Sequence, residues 1–169
     1  APGLFSEVEK RAEWLFEEGK TQTMVNTIWA FATLGIPSPR IFSLAEQNAE
    51  RLVREGNTQN ISNTLWAFAK LGIKSSKLCS EIDRHCERLV MEGKPQEVSK
   101  TVWAFAKLGV KSPRLTSLVD DRAEWLITEG NSHILANIAW ASATLQTSSP
   151  KLFSAIEIHA DRFVNNASP

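Results

Sequence analysis

Cys79, His85 and Cys86 are side chains that hold zinc or serve as nucleophile and base. Their spacing supports neither use. On one helix the two cysteines stand about 10.5 Å apart, beyond the roughly 7 Å that a disulfide spans. His85 points away from the face they share, and a fourth ligand is missing. No metal site is expected, and both thiols read as small buried or half-buried groups that fit a reducing compartment. His133 and His159 fall in other parts of the chain without recurring acidic partners, and no glycine-rich phosphate loop occurs. The expected chemistry is therefore non-catalytic: no catalytic residue, no cofactor and no small-molecule substrate.

The chemistry that does recur belongs to amides and lysines. Asn26, Asn63, Lys100 and Asn137 open four versions of one segment: NTIWAFATLG, NTLWAFAKLG, KTVWAFAKLG and NIAWASATLQ. On a helix, positions 60, 63, 67, 70 and 74 fall within about 80° of arc. This stripe carries Asn60, Asn63, Ala67, Lys70 and Lys74 in the second copy, and Glu97, Lys100, Ala104, Lys107 and Lys111 in the third. The first copy has Thr23, Asn26, Ala30 and Thr33, and the fourth has Ile134, Asn137, Ala141 and Thr144. A flat alanine beside polar side chains that change from copy to copy admits a base whose edge they read. The RNA-contact candidates are thus Thr23, Asn26, Asn60, Asn63, Lys70, Lys74, Glu97, Lys100, Lys107, Lys111 and Asn137. The lysines have two readings, a track for phosphates or solvation of helix C-termini.

These residues must be positioned by a repeat. Trp29, Trp66, Trp103 and Trp140 are spaced by 37 residues, as are Gly19, Gly56, Gly93 and Gly130. Leu15, Leu52, Leu89 and Leu126 follow the same interval, with Phe163 fifth. Such a period marks a stack of helical units, none of which buries its own apolar faces. Each unit reads as helix A, about Thr58 to Leu71 in the second copy, and helix B, about Ser75 to Glu92. Asn57 caps A and Gly72 ends it in the left-handed conformation. Ser-Pro pairs at 38, 112 and 149 start B. The expected fold is all-α: a right-handed α-solenoid of 37-residue helix-turn-helix repeats, about nine helices in antiparallel pairs. One solenoid over 1–169 is expected, with a half repeat at 2–19, repeats at 20–56, 57–93 and 94–130, and a degenerate fourth at 131–166. The tryptophans read as core between A helices and not as base stackers.

Nineteen basic side chains balance nineteen acidic ones, which gives no global pull toward nucleic acid. The balance hides a segregation. The four A segments hold seven lysines and one glutamate; the rest holds twelve basic and eighteen acidic residues. No apolar run approaches the roughly 20 residues of a membrane span. The first helix lacks an A partner, so Phe5, Val8, Leu15 and Phe16 are expected to show an apolar face, covered either by more of a longer native protein or by another chain. Trp14 and Trp125 stand where Arg51, Arg88 and Arg162 stand in sibling units; they read either as buried against a neighbouring helix or, with Ile134, as protein-contact candidates.

QNISNTLWAFAKLG resembles the signature of octotricopeptide and heptatricopeptide repeats, found in organellar proteins that often carry a C-terminal RAP domain. The period matches the heptatricopeptide version, and the resemblance covers the chain. It implies an α-solenoid similar to pentatricopeptide proteins, an organellar location in chloroplast or mitochondrion, and single-stranded RNA as partner in transcript processing, stability or translation. Several chains of this type are instead scaffold subunits of large organellar assemblies such as a ribosome or photosynthetic complex. The Pro-Pro-Pro-Glu-Trp element is reduced here to Ala12-Glu13-Trp14 and Ala123-Glu124-Trp125, and no RAP-like segment follows residue 166.

Overall fold

Gly35, Gly72 and Gly109 stand at φ 70°, 69° and 70°, the left-handed corner that ends three A helices. The fourth copy has Gln146 there, at φ 53°. A side chain in this region costs about 1–2 kcal/mol, because Cβ crowds the carbonyl. Gln146→Gly is therefore expected to stabilise the chain by about 1 kcal/mol, read as a higher urea midpoint.

The computed structural model describes residues 2–160, all of whose regular elements are helices. They are α1 (Pro2–Lys10), α2 (Ala12–Glu18), α3 (Thr21–Thr33), α4 (Pro39–Gln47), α5 (Ala49–Glu55), α6 (Thr58–Leu71), α7 (Ser76–Arg84), α8 (Cys86–Glu92), α9 (Pro95–Leu108), α10 (Pro113–Asp121), α11 (Ala123–Glu129), α12 (Ser132–Leu145) and α13 (Pro150–Ile158). Arg162 and Phe163 lie outside the described residues. The A helices are α3, α6, α9 and α12. The expectation of nine helices needs correction, because each of the first four B rods is divided by one residue. Arg11, Asn48, His85 and Arg122 sit near φ −100°, ψ 10–18°, outside helical geometry. The Arg11, His85 and Arg122 amides each split between the i−4 and i−3 carbonyls. Asn48 Nδ2 also donates to the Leu44 carbonyl at 2.9 Å. The residue after each break, Ala12, Ala49, Cys86 or Ala123, is buried. No proline or glycine marks these bends, so periodicity alone reads through them.

The A helices form one layer, α3 beside α6, α6 beside α9 and α9 beside α12. Ala67, Ala104 and Ala141 are buried, which lets these axes approach. In the B layer the second half of one rod packs on the first half of the next: α2 on α4, α5 on α7, α8 on α10, α11 on α13. Between the layers lies a continuous core that includes Phe16, Phe31, Phe68 and Phe105. Phe42 meets Phe68 edge to face at 4.9 Å. In the fourth unit Ser142 replaces the phenylalanine and leaves a void of about 20 Å³ between α9, α10 and α12.

Two polar columns join successive B rods. Ser38, Ser75 and Ser112 cap α4, α7 and α10, accepting from the amides of Ile41, Leu78 and Leu115. Each hydroxyl donates to a carboxylate of the rod before it: Glu9, Glu46 (2.7 Å) and Asp83. Asp120 accepts directly from the Leu152 amide at 2.9 Å. A carboxylate at a helix N-terminus satisfies a free amide and faces the positive end of the dipole. Arg51 donates to the Phe16 and Gly19 carbonyls at 2.8 and 2.7 Å, and Arg88 to those of Val53 and Gly56. These arginines satisfy helix-end carbonyls of the preceding unit.

Cys79 and Cys86 are both free and buried. Burial pushes the Cys79 thiol up to about 11 and raises that of Cys86 also, against the nearby Arg114. Neither is expected to react with a thiol reagent at pH 8 in the folded chain; both react on unfolding. An unfolded thiol ionises near pH 9 while folded Cys79 keeps its proton. Its contribution to stability is thus full below pH 9 and falls as pH rises toward 11.

Candidate nucleic-acid interface

Helical geometry turns positions 22, 26, 29 and 33 to one side, within about 60° of arc, and the A layer repeats this stripe four times. Gln22, Asn26, Trp29 and Thr33 lie on α3; Gln59, Asn63, Trp66 and Lys70 on α6. Gln96, Lys100, Trp103 and Lys107 lie on α9; His133, Asn137, Trp140 and Thr144 on α12. All are exposed or half-buried, and none is acidic. The stripe therefore gathers Asn26, Asn63, Lys70, Lys100, Lys107 and Asn137 on one surface. Lys74 and Lys111 are exposed in the turns beyond Gly72 and Gly109.

Several sequence expectations need correction. The alanines at 67, 104 and 141 offer no flat platform, since neighbouring A helices cover them. The variable column Thr23, Asn60, Glu97, Ile134 is the third residue of each A helix, where the capping solution changes. Asn57 Oδ1 accepts the Asn60 amide at 2.8 Å, and Asn60 Oδ1 accepts the Asn57 amide at 3.2 Å. Asn60 also donates to Gln22 Oε1 at 2.9 Å and is buried. Glu97 accepts the Lys94 amide at 3.0 Å. Asn60 and Glu97 thus serve helix starts. Thr23 is exposed.

Ile134 is buried, its carbonyl accepting from Ser99 Oγ at 3.3 Å, so it offers no protein contact. Phe5 and Val8 are half-buried against the core, with Phe5 edge to face on Phe31 at 5.0 Å. They do not form the bare face expected of them; Leu4 and Trp14 are exposed there instead, at 61% and 65%. Trp125 is half-buried beneath the Arg122 guanidinium, 4.1 Å from its ring centroid.

The tryptophans reverse their expected place. Trp29 and Trp140 are 44% and 45% exposed, and Trp66 and Trp103 are half-buried. Trp29 and Trp66 stack at 6.5 Å and 27°, and Lys70 Nζ lies 4.8 Å above the Trp66 ring. Lys70 also donates to the Thr33 carbonyl at 3.3 Å. Lys100 donates to Asn63 Oδ1 at 2.7 Å, and desolvation lowers its pKa although Glu97 opposes the shift. Gln22 donates to Asn26 Oδ1 at 2.8 Å, and Asn137 lies 3.2 Å from His133 Nε2. The amide and imidazole column Gln22, Gln59, Gln96, His133 escaped the sequence reading, although its 37-residue spacing was visible.

The A layer thus presents amide donors and acceptors, aromatic faces and lysines on one surface of stacked helices. The chain belongs to the RESC6 family, described as RNA-editing substrate-binding complex 6 protein, whose family model matches residues 2–169. That match supports an RNA-associated helical family and not the octotricopeptide or heptatricopeptide one specifically. No curated protein matches the chain. Among the described residues no helix is long and apolar enough to cross a membrane.

Proposed function

We propose that the chain is a non-catalytic subunit of an RNA-editing substrate-binding complex and holds single-stranded RNA on its A-helix face. The carrying observation is the stripe itself: sixteen positions on four adjacent helices with lysine, amide, imidazole, indole and hydroxyl side chains and no carboxylate. Lys70 and Lys107 supply charge for phosphates. The amides offer donors and acceptors to base edges. An organellar setting, in processing or translation of transcripts, belongs to the same proposal and is compatible with the family's name.

Protein contacts belong to the second reading, a scaffold role in such a complex. Exposed Leu4 and Trp14 favour it, because exposed aromatics anchor interfaces. Fluorescence anisotropy with a pool of short single-stranded RNAs at two salt concentrations tests the first reading. Micromolar or tighter binding that weakens with salt is expected. No binding at low salt would leave the scaffold role.

A further inference from the structure

The tryptophan column is not uniform along the array. Trp29 and Trp66 stack on each other, so their facing surfaces are occupied. Trp103 makes no ring contact among the described residues. Between α9 and α12, reaching back to Trp66, lies a groove of about 380 Å³. Trp66 and Trp103 line it, together with Gln96, Lys100, His133 and Asn137. Lys100 is held by Asn63 and belongs to the wall. Gln96, His133 and Asn137 carry amide or imidazole groups, which both donate and accept.

An indole beside such groups suits a flat heterocycle with a mixed donor and acceptor edge. A phosphate would gain little from the indole, and a paired base has its edge and faces already engaged. Lys107 stands on the same stripe one turn beyond Trp103, where a backbone phosphate of a bound strand needs a cation. We infer that the groove between α9 and α12 is a subsite for one unpaired nucleobase, stacked on Trp103 with its edge bonded by Gln96, His133 or Asn137. This rests on the RNA reading of the A face and adds to it a position and a requirement for unpaired bases.

The test uses the whole chain and two probes of equal charge, a short oligoadenylate and its abasic ribose-phosphate counterpart. Oligoadenylate is expected to bind more tightly than the abasic strand. Trp103→Ala should weaken oligoadenylate roughly 5- to 150-fold, the range of one lost base stack, while its salt slope and its abasic binding stay unchanged. Trp103→Phe should restore most of the loss. Where Trp103→Ala fails a circular-dichroism check of folding, Gln96→Ala/Asn137→Ala serves in its place, with the same selective loss expected. Equal binding of the two probes, or variants indistinguishable from the parent chain on oligoadenylate, would overturn the subsite and leave the RNA reading standing. No binding of either probe at low salt would remove the RNA reading and the subsite with it.

Discussion

Phe68→Ala is expected to lower stability by about 3–5 kcal/mol, the cost of removing a fully buried phenyl ring. The residue is 1% exposed, lies between the A and B layers and meets Phe42 at 4.9 Å. Each unit borrows burial from its neighbours, so the void touches more than one repeat. Urea unfolding followed by far-UV circular dichroism reads the effect. The half-buried Trp66 provides the contrast: Trp66→Ala opens a site that solvent already reaches, leaves no enclosed cavity and should cost less. If the two were equal, the indole would be core, as its hydrophobicity alone suggests.

Lys70→Glu/Lys107→Glu is expected to weaken single-stranded RNA binding by roughly tenfold or more at low salt, and to flatten the dependence of log K on log salt by about 1.4. Each contact to single-stranded nucleic acid contributes about 0.7 to that slope. The matched control is Lys10→Glu/Arg54→Glu, which changes net charge equally on exposed positions of α1 and α5, in the B layer. The control should move both quantities far less. Equal losses in the two variants would show a general charge effect and not a track along the A face.

The period, the A and B layers and most helix ends were legible in the sequence, because glycine, serine and tryptophan columns keep the 37-residue interval. The orientation of helix A was harder to read. Tryptophan is large and apolar and so reads as core, while alanine beside asparagine reads as a platform. Packing reverses this: only alanine fits between close axes at 67, 104 and 141, and the indoles are displaced outward. Asn57 and Asn60 carry the spacing of reciprocal helix capping, and Glu97 that of an acceptor for the Lys94 amide, so their local role was visible and was outweighed by their variation between units. The bends at Arg11, Asn48, His85 and Arg122 have no proline or glycine to announce them. The staples from Glu9, Glu46, Asp83 and Asp120 connect residues 29 to 32 apart, beyond the reach of any local pattern.

Photocrosslinking of a single-stranded RNA to the whole chain, with the linked peptides mapped by mass spectrometry, tests the RNA-binding face most directly. Crosslinks concentrated in α6, α9 and α12, at or beside Trp66, Trp103 and Trp140, are expected. Crosslinks concentrated in the B rods, such as α4–α5 and α7–α8, would contradict RNA binding by the A-helix face.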